Sequence, residues 1–455
     1  MRQNLHQFGC PGFRQLGVSR RGVLQAGSLA IGGLTLADLL RMEQARGEQK
    51  WYESKEGTAK SVIQIVLPGA MAAQESWNPK PESPTEYRGP FGVAKTSLTG
   101  VVFSETMPAC AKIADRLCIV RSVVGSVPDH GLGQYHMLTG HKSSPVLKHP
   151  AIGAVVSHEL GWRKRLPPFV AIPENSGDTG YLSPRFGAFA TGGDPAADQG
   201  FSVKDLTLPG GLTVHDFELR RNLRDIVNQR VKQFEADPAT TETMDAFYNQ
   251  AYGLLTSAAV RNAFDLAQEP EAVKRAYGKG MFAGKTGQHG SQAGMRMLLA
   301  RRLVEAGSRF VSLRYGQWDD HSLIRENIRD RMPAFDHALA ALITDLESRG
   351  LLDSTLVWVA SEFGRTPKIN AAAGRDHWSR VFSVALAGGG LKQGLIYGDS
   401  DATSSDPATD AVPLHDLHST IYKLIGINSD KELMAPGERP IEIVDDGRPV
   451  SELLA

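Results

Sequence analysis

The sequence predicts an α/β fold, a mainly parallel central sheet with helices on both faces. Three observations lead there. Apolar, β-branched runs alternate along the chain with stretches of helical period, the pattern that builds parallel sheets. The run Thr355-Leu-Val-Trp-Val-Ala360 is apolar nearly throughout, as a strand covered on both faces must be. Polar, chemistry-bearing residues gather in the loops that follow such runs, where open α/β sheets bind their ligands.

Taken in order, the first strand is Ser61–Leu67, followed by a loop from Pro68 to Pro81. A helix is expected over Thr106–Arg116, a strand over Leu117–Val123, and a loop over Gly125–Gly133 leading into a helix that ends at Thr139-Gly140. Pro150–Leu160 reads as helix and Pro168–Ile172 as a short strand. Residues 173–210, rich in Gly, Pro, Asp and Ser, read as a long surface excursion. Helical periodicity returns at Thr213–Ala236 and Met244–Ala267, so about 173–290 is expected to be a helical insertion or cap. Gln292–Gly307 is an amphipathic helix stopped by glycine, Arg309–Arg314 a strand, and Arg331–Arg349 a helix closed by Gly350. Strands at 355–360 and 381–386 follow, and Leu414–Ile425 is the last helix, stopped by Gly426.

Bulk composition narrows the function. The 455 residues include 50 basic and 50 acidic side chains, a formal charge of zero. That gives no basic excess for a nucleic-acid surface. The N-terminus reads as a targeting segment: Arg20-Arg21 precedes a weakly apolar, glycine-broken stretch from Val23 to Leu40. This order is that of a twin-arginine export signal over residues 1–46, with 47–60 as linker and 61–455 as one domain. The expected destination is the periplasm or outside the cell, by way of the twin-arginine machinery, with an uncleaved anchor as the alternative. No later segment approaches the roughly 20 apolar residues of a membrane span. Once the signal and its Cys10 are gone, Cys110 and Cys118 remain, and both are expected to be free, buried thiols.

The loops carry the chemistry. At the end of strand 355–360 stand Glu362, Gly364 and Arg365, and Asp376-His377 precede the next apolar run. Carboxylate and imidazole delivered to one sheet edge suit a divalent metal. After strand 309–314 comes Trp318-Asp319-Asp320-His321; in extended chain Asp319 and His321 share a side and can reach one ion. The plainer reading of Asp319 is a helix cap. After strand 117–123, Asp129-His130-Gly131 stands at a helix entry, with His136 inside the helix. Glycines there let backbone N–H groups approach an anion. In the first loop Glu75 is the one ionised group, with Ser76 either nucleophile or turn hydroxyl. Arg365 is expected either to clamp a substrate anion or to pair with Glu362. His415 and His418 read as packing or surface residues of the last helix.

In this order the motifs resemble a family of exported proteins, domain of unknown function 1501, a branch of the alkaline phosphatase and sulfatase superfamily. The likeness rests on Arg88-Gly-Pro-Phe91, Ile119-Val-Arg-Ser-Val123, Asp129-His-Gly131, Met137-Leu-Thr-Gly140 and Leu303-Val-Glu-Ala-Gly307. It continues through Trp318-Asp-x-His321, Glu362-Phe-Gly-Arg-Thr-Pro367, Gly374-Arg-Asp-His-Trp378 and Ala387-Gly-Gly-Gly390. The resemblance implies a hydrolase of phosphate or sulfate esters working with one or two divalent metals: zinc first, with calcium, magnesium or manganese as alternatives. Glu75, Asp319, His321, Glu362 and His377 fall near its metal-ligand positions, and Asp376 joins them by its place beside His377. With the loop reading this assigns catalytic roles to His130 and Arg365 and substrate contacts to Asp129, His136 and Trp318. The chain departs from the pattern twice. His130 stands at or near the nucleophile position where a Ser, Thr or Cys belongs, and Ala73, Glu75 and Asn78 replace a His and two Asp in the first loop. An alternative follows: a protein that keeps the fold and binds anionic polysaccharide without turnover. A twin-arginine oxidoreductase finds no support, since the chain has neither a dinucleotide fingerprint nor iron–sulfur cysteine spacing.

Overall fold

The structure, a computed structural model, describes residues 57–455 apart from 176, 198–200, 204–214, 217, 221, 225–254, 256 and 283–293. The twin-arginine segment lies outside the described residues. Of the expected linker only 57–60 is described, and there the chain is tied down: Ala59 N–H donates to Leu424 and Lys60 N–H to Ser354.

Among the described residues, nine strands form the main sheet: β1 (Ser61–Leu67), β2 (Leu117–Val124), β3 (Phe169–Ile172), β4 (Phe189–Ala190), β5 (Phe310–Arg314), β6 (Thr355–Ser361), β7 (Phe382–Ala387), β8 (Leu395–Tyr397) and β9 (Val412–Pro413). Their order is β8-β2-β7-β6-β1-β5-β3-β4, with β9 also on β2. Every pairing is parallel except those of β7, which runs against both β6 and β2. The expected mainly parallel α/β sheet is therefore present, with one reversed strand inside it.

Alternation explains why both faces are covered. Ile63, Ile65 and Leu67 of β1 enter one core cluster, Val62 and Val66 the other. On β6, Val357 and Val359 face the first cluster while Leu356, Trp358 and Ala360 face the second. Successive side chains of a strand point to opposite faces, so a strand buried on both sides is apolar at most positions; on β1 the buried exceptions are Ser61 and Gln64, whose Oε1 accepts from Ser312 at 3.0 Å. The first face is closed by α3 (Gly294–Ala306) and α4 (Ile324–Ser348), the second by α1 (His130–Thr139), α2 (Ile152–Leu160) and α5 (Leu414–Ile425). Cys110 and Cys118 are both free and buried, in opposite clusters.

Several elements differ from expectation. The helix expected over 106–116 is one short turn, Pro108–Lys112, then a 3₁₀ turn at 114–116. Its exposed backbone donors are met by buried Asp336, whose carboxylate accepts from Ala109 and Cys110 N–H, each at 2.7 Å. Helix α4 begins at Ile324 rather than 331 and runs through Pro333, which local propensity alone would not allow. The helices expected at 213–236 and 244–267 fall largely outside the described residues; the described end of the second is the short helix Ala258–Phe264. Within the excursion after β3, Phe189–Ala190 adds an edge strand to the sheet. No helix among the described residues is long and apolar enough to cross a membrane.

Candidate metal centre

The carboxyl edge of the sheet gathers five loops. Those after β1, β2, β5 and β6 arrive because these strands point the same way. The loop before β7 arrives because β7 is reversed, so its start lies where its neighbours end. A two-residue antiparallel clip, His377 opposite Arg365 and Trp378 opposite Gly364, binds that loop to the chain leaving β6.

Four side chains converge there. One ligand atom from each of His130, Asp319, His321 and His377 lies within 4.8 Å of the other three. His321 Nε2 is 3.0 Å and His377 Nε2 3.4 Å from Asp319 Oδ1, and His130 Nε2 is 3.2 Å from Asp319 Oδ2. Bonds of about 2.0–2.1 Å at tetrahedral angles put the donors of one zinc ion about 3.3–3.4 Å apart. The individual contacts match that separation, while the full set, within 4.8 Å, is somewhat wider and would draw in around an ion.

Outer partners fix each imidazole. His321 Nδ1 lies 2.7 Å from Asp376 Oδ1, His377 Nδ1 lies 3.1 Å from the Pro128 carbonyl, and His130 Nδ1 donates to Glu362. With the proton of each ring on Nδ1, toward these acceptors, each Nε2 keeps a lone pair for an ion. Two results test whether a cation belongs here. His321 and His377 Nε2 face each other at 3.1 Å, lone pair to lone pair. His130 Nε2 is buried and has no hydrogen-bond partner. Both arrangements are unfavourable alone and become favourable with a cation between the nitrogens. Histidine ligands whose second nitrogen is held by carboxylate or carbonyl are the usual construction of a metal site.

Asp319 is the hub. Burial pushes its carboxyl up, but the stronger combined pull of Arg365, His130 and His321 brings it down to about 2. Glu362 goes the other way: burial raises it, and His130 and the Gly69 N–H, 3.1 Å from Oε1, offset this in part. Gly69 has φ +92°, and a Cβ there would lie 2.4 Å from Asp319 N, so the turn beneath the centre has room only for glycine. Asp376 is held low by its hydrogen bond from His321 and another from Asn370.

Several expected roles are corrected by the structure. Arg365 is not an anion clamp. Its guanidinium is 1% exposed and donates to Ala70 O and Arg375 O, each at 3.0 Å, to Gly69 O and to Asp319. Trp318, expected at the substrate, is 1% exposed, donates to Tyr315 O and packs on Phe335. Asp129 caps α1, accepting from Leu132 N–H at 2.9 Å. His136 is buried beside His418, and burial followed by neighbouring imidazoles and Lys142 pushes it down to about 4. Glu75 is not in the cluster. It is fully buried and paired with Arg375, Nη2 to Oε1 at 2.8 Å. Ser76 donates to Ala72 O at 2.7 Å, a turn hydroxyl. Glu362 and Asp376 sit one shell out, holding His130 and His321. His418 is packed as expected, between Leu414 O and Met137 O.

Sequence reasoning missed Asn370, the Pro128 carbonyl and Phe363. Asn370 Nδ2 donates to His321 O at 3.0 Å and reaches Asp376, lacing two loops together. The Phe363 ring packs on His130 and His377 at 5.3 and 4.8 Å. The only signal for any of them was proximity to motifs already in view.

Fold and site together define an α/β protein with a cluster of three histidines and one aspartate, able to hold a metal ion, at the carboxyl edge of its sheet. The chain belongs to the family described as protein of unknown function (DUF1501), whose model matches residues 59–454. No protein of curated function matches its sequence. Among solved structures it is similar to a phosphonate monoester hydrolase from Silicibacter pomeroyi, at 12% identity and TM-score 0.39, covering 87% of this chain and 76% of that one. A sulfatase from Pseudoalteromonas sp. matches at 14% identity and TM-score 0.35, covering 85% and 71%. An alkaline phosphatase from the Antarctic bacterium TAB5 matches at 13% and 0.34, covering 82% and 99%.

Proposed function

We propose that the protein is an exported, metal-dependent hydrolase of phosphate or sulfate esters. The observation that carries the metal half of this reading is the convergence of three imidazole Nε2 atoms on one carboxylate. A divalent ion there supplies Lewis acidity toward an ester oxygen and lowers the pKa of water. The donor set, imidazole with one carboxylate and no thiolate, suits zinc better than calcium or magnesium, which favour all-oxygen shells.

The chain's own residues do the rest. Asp376, Glu362 and Pro128 hold the three rings in place through their Nδ1 atoms. Arg365 holds Asp319 ionised and aimed at them. Ser76 is turned to the backbone and Ser126 donates to Glu362 O, so neither nearby hydroxyl is free as a nucleophile. Water is then the nucleophile this reading requires, and the ester half rests on the family resemblance. The twin-arginine segment supports export of the folded, loaded protein.

Metal analysis of protein purified without chelator, with aryl phosphate and aryl sulfate assays on the same preparation, tests the reading. One divalent ion per chain and turnover abolished by chelation support it. Turnover indifferent to chelation, or a folded wild type without the ion, overturns it. A second reading, a metal-bearing protein that binds anionic polysaccharide without turnover, is favoured by Arg365 being spent and by four protein donors filling a tetrahedral set. Stoichiometric metal with no turnover and saturable polysaccharide binding selects it.

A further inference from the structure

A narrow cavity is lined by Gln74, Arg121, Arg365, Ser383, Ser400 and Ser404 among others. It has room for a guest of about the size of one water or halide. Three of its polar groups have no hydrogen-bond partner: Gln74 Nε2, Arg121 Nε and Ser383 Oγ. Gln74 is 2% and Ser383 6% exposed, so solvent does not satisfy them. Unmade hydrogen bonds of buried groups are costly, on the order of 1–3 kcal/mol each, and native structures rarely leave three in one place.

The backbone aims these groups together. Between the pairs Phe382–Val123 and Val384–Val120 the β7–β2 register shifts, so Arg121 and Ser122 stand opposite Ser383 alone. Such a bulge redirects side chains out of the regular alternation. It turns Arg121 and Ser383 to the cavity that Gln74 reaches from the β1 loop.

The chemistry of the orphaned atoms indicates the guest. Gln74 Nε2 and Arg121 Nε can only donate, and Ser383 Oγ can donate. The nearest carboxylate in charge terms, Asp399, is spent on Lys80 and Asn78, each at 2.8 Å. Burial lowers the Arg121 pKa and Asp399 offsets this in part, as for a guanidinium whose charge lacks a full counterion. We infer that this cavity is a binding site for a small monovalent anion of halide size, held by Arg121, Gln74 and Ser383. A water would accept two of the donors and leave Arg121 uncompensated; a halide accepts all three and balances the charge. The inference does not rest on the metal reading, although Arg365 borders both sites.

The test is a chloride and bromide titration of the full chain at constant ionic strength, with a bulky organic anion as balance, following Tm. The expected result is a saturable rise in Tm for wild type that is lost in Ser383→Ala and in Arg121→Gln. Ser383→Ala keeps the test available should Arg121→Gln fail to fold. In bromide-soaked crystals, anomalous signal within about 3.5 Å of the three donors is expected. A Tm indifferent to halide in wild type, a halide response unchanged in Ser383→Ala, or a water without anomalous signal in the cavity each overturns the inference.

Discussion

Two carboxylate–arginine pairs stand at the same sheet edge, and they are built for opposite ends. Arg375 closes on Glu75 with both side chains 0% exposed, and its remaining N–H groups go to Thr366, Pro367 and Tyr87 carbonyls. Arg365 grips Asp319 from one side only, leaving that carboxylate 28% exposed and turned to three imidazoles. What separates a ligand from a structural acid here is not the residue type. It is whether oxygen lone pairs remain once the arginine has taken its share.

The sharpest way to break this contrast is at Asp319. Asp319→Asn is expected to remove the metal and at least 100-fold of any turnover, a loss above the range for outer-shell changes. Metal analysis and kinetics on one preparation check it; retained metal would make Asp319 as structural as Glu75. Next in size, Arg375→Met strands a buried carboxylate and should cost about 3–5 kcal/mol in urea unfolding, with metal content of the folded protein unchanged. Adding Glu75→Gln should recover much of that. Metal loss tracking Arg375→Met would join the two pairs into one site.

Smaller effects sharpen the outer shell. Glu362→Gln and Asp376→Asn remove the charge from the anchors of His130 and His321 and should weaken metal affinity about 10–100-fold, read by competition with a chelating dye. Unchanged affinity would remove both from the centre's support. The smallest expected effect is the pH dependence of the metal-free protein. His136 has its folded pKa lowered to about 4 from 6.5, so the unfolded chain takes up its proton first. Its contribution to stability is full above about 6.5 and is lost as pH falls toward 4. Asp319, lowered to about 2, adds stability present above 3.8 and lost as pH falls through about 2. His136→Gln and Asp319→Asn should flatten the stability curve in these two separate windows.

The sheet was legible because strands buried on both faces are apolar at most positions, and Ser61–Leu67 and Thr355–Ala360 show it, with only Ser61, Gln64 and Thr355 polar. The reversal of β7 was not, since an apolar run of six looks the same in either direction. At the site, His130, Asp319, His321 and His377 were all visible as polar residues just beyond strands. Their division of labour was not. Glu362, Asp376 and Arg365 carry the same charges as ligands or clamps would, and only three-dimensional partners reveal that their hydrogen bonds are already committed. Trp318 misled for a related reason: a motif aromatic beside a ligand is as readily a core residue that holds its neighbour still.

The reversed strand also bears on assembly. Because β7 turns back at the ligand edge, Glu362, Arg365, Asp376 and His377 sit on one short clip that needs few distant contacts to close. Asp319 with His321, and His130, join it only when β5 and β2 dock, across long stretches of sequence. Loop closure over such spans costs entropy that grows with the logarithm of length. An ion bridging the three segments would act as a staple on the slowest part of the topology. Refolding with zinc present should therefore gain most in the late docking steps, while the clip forms at the same rate with or without it.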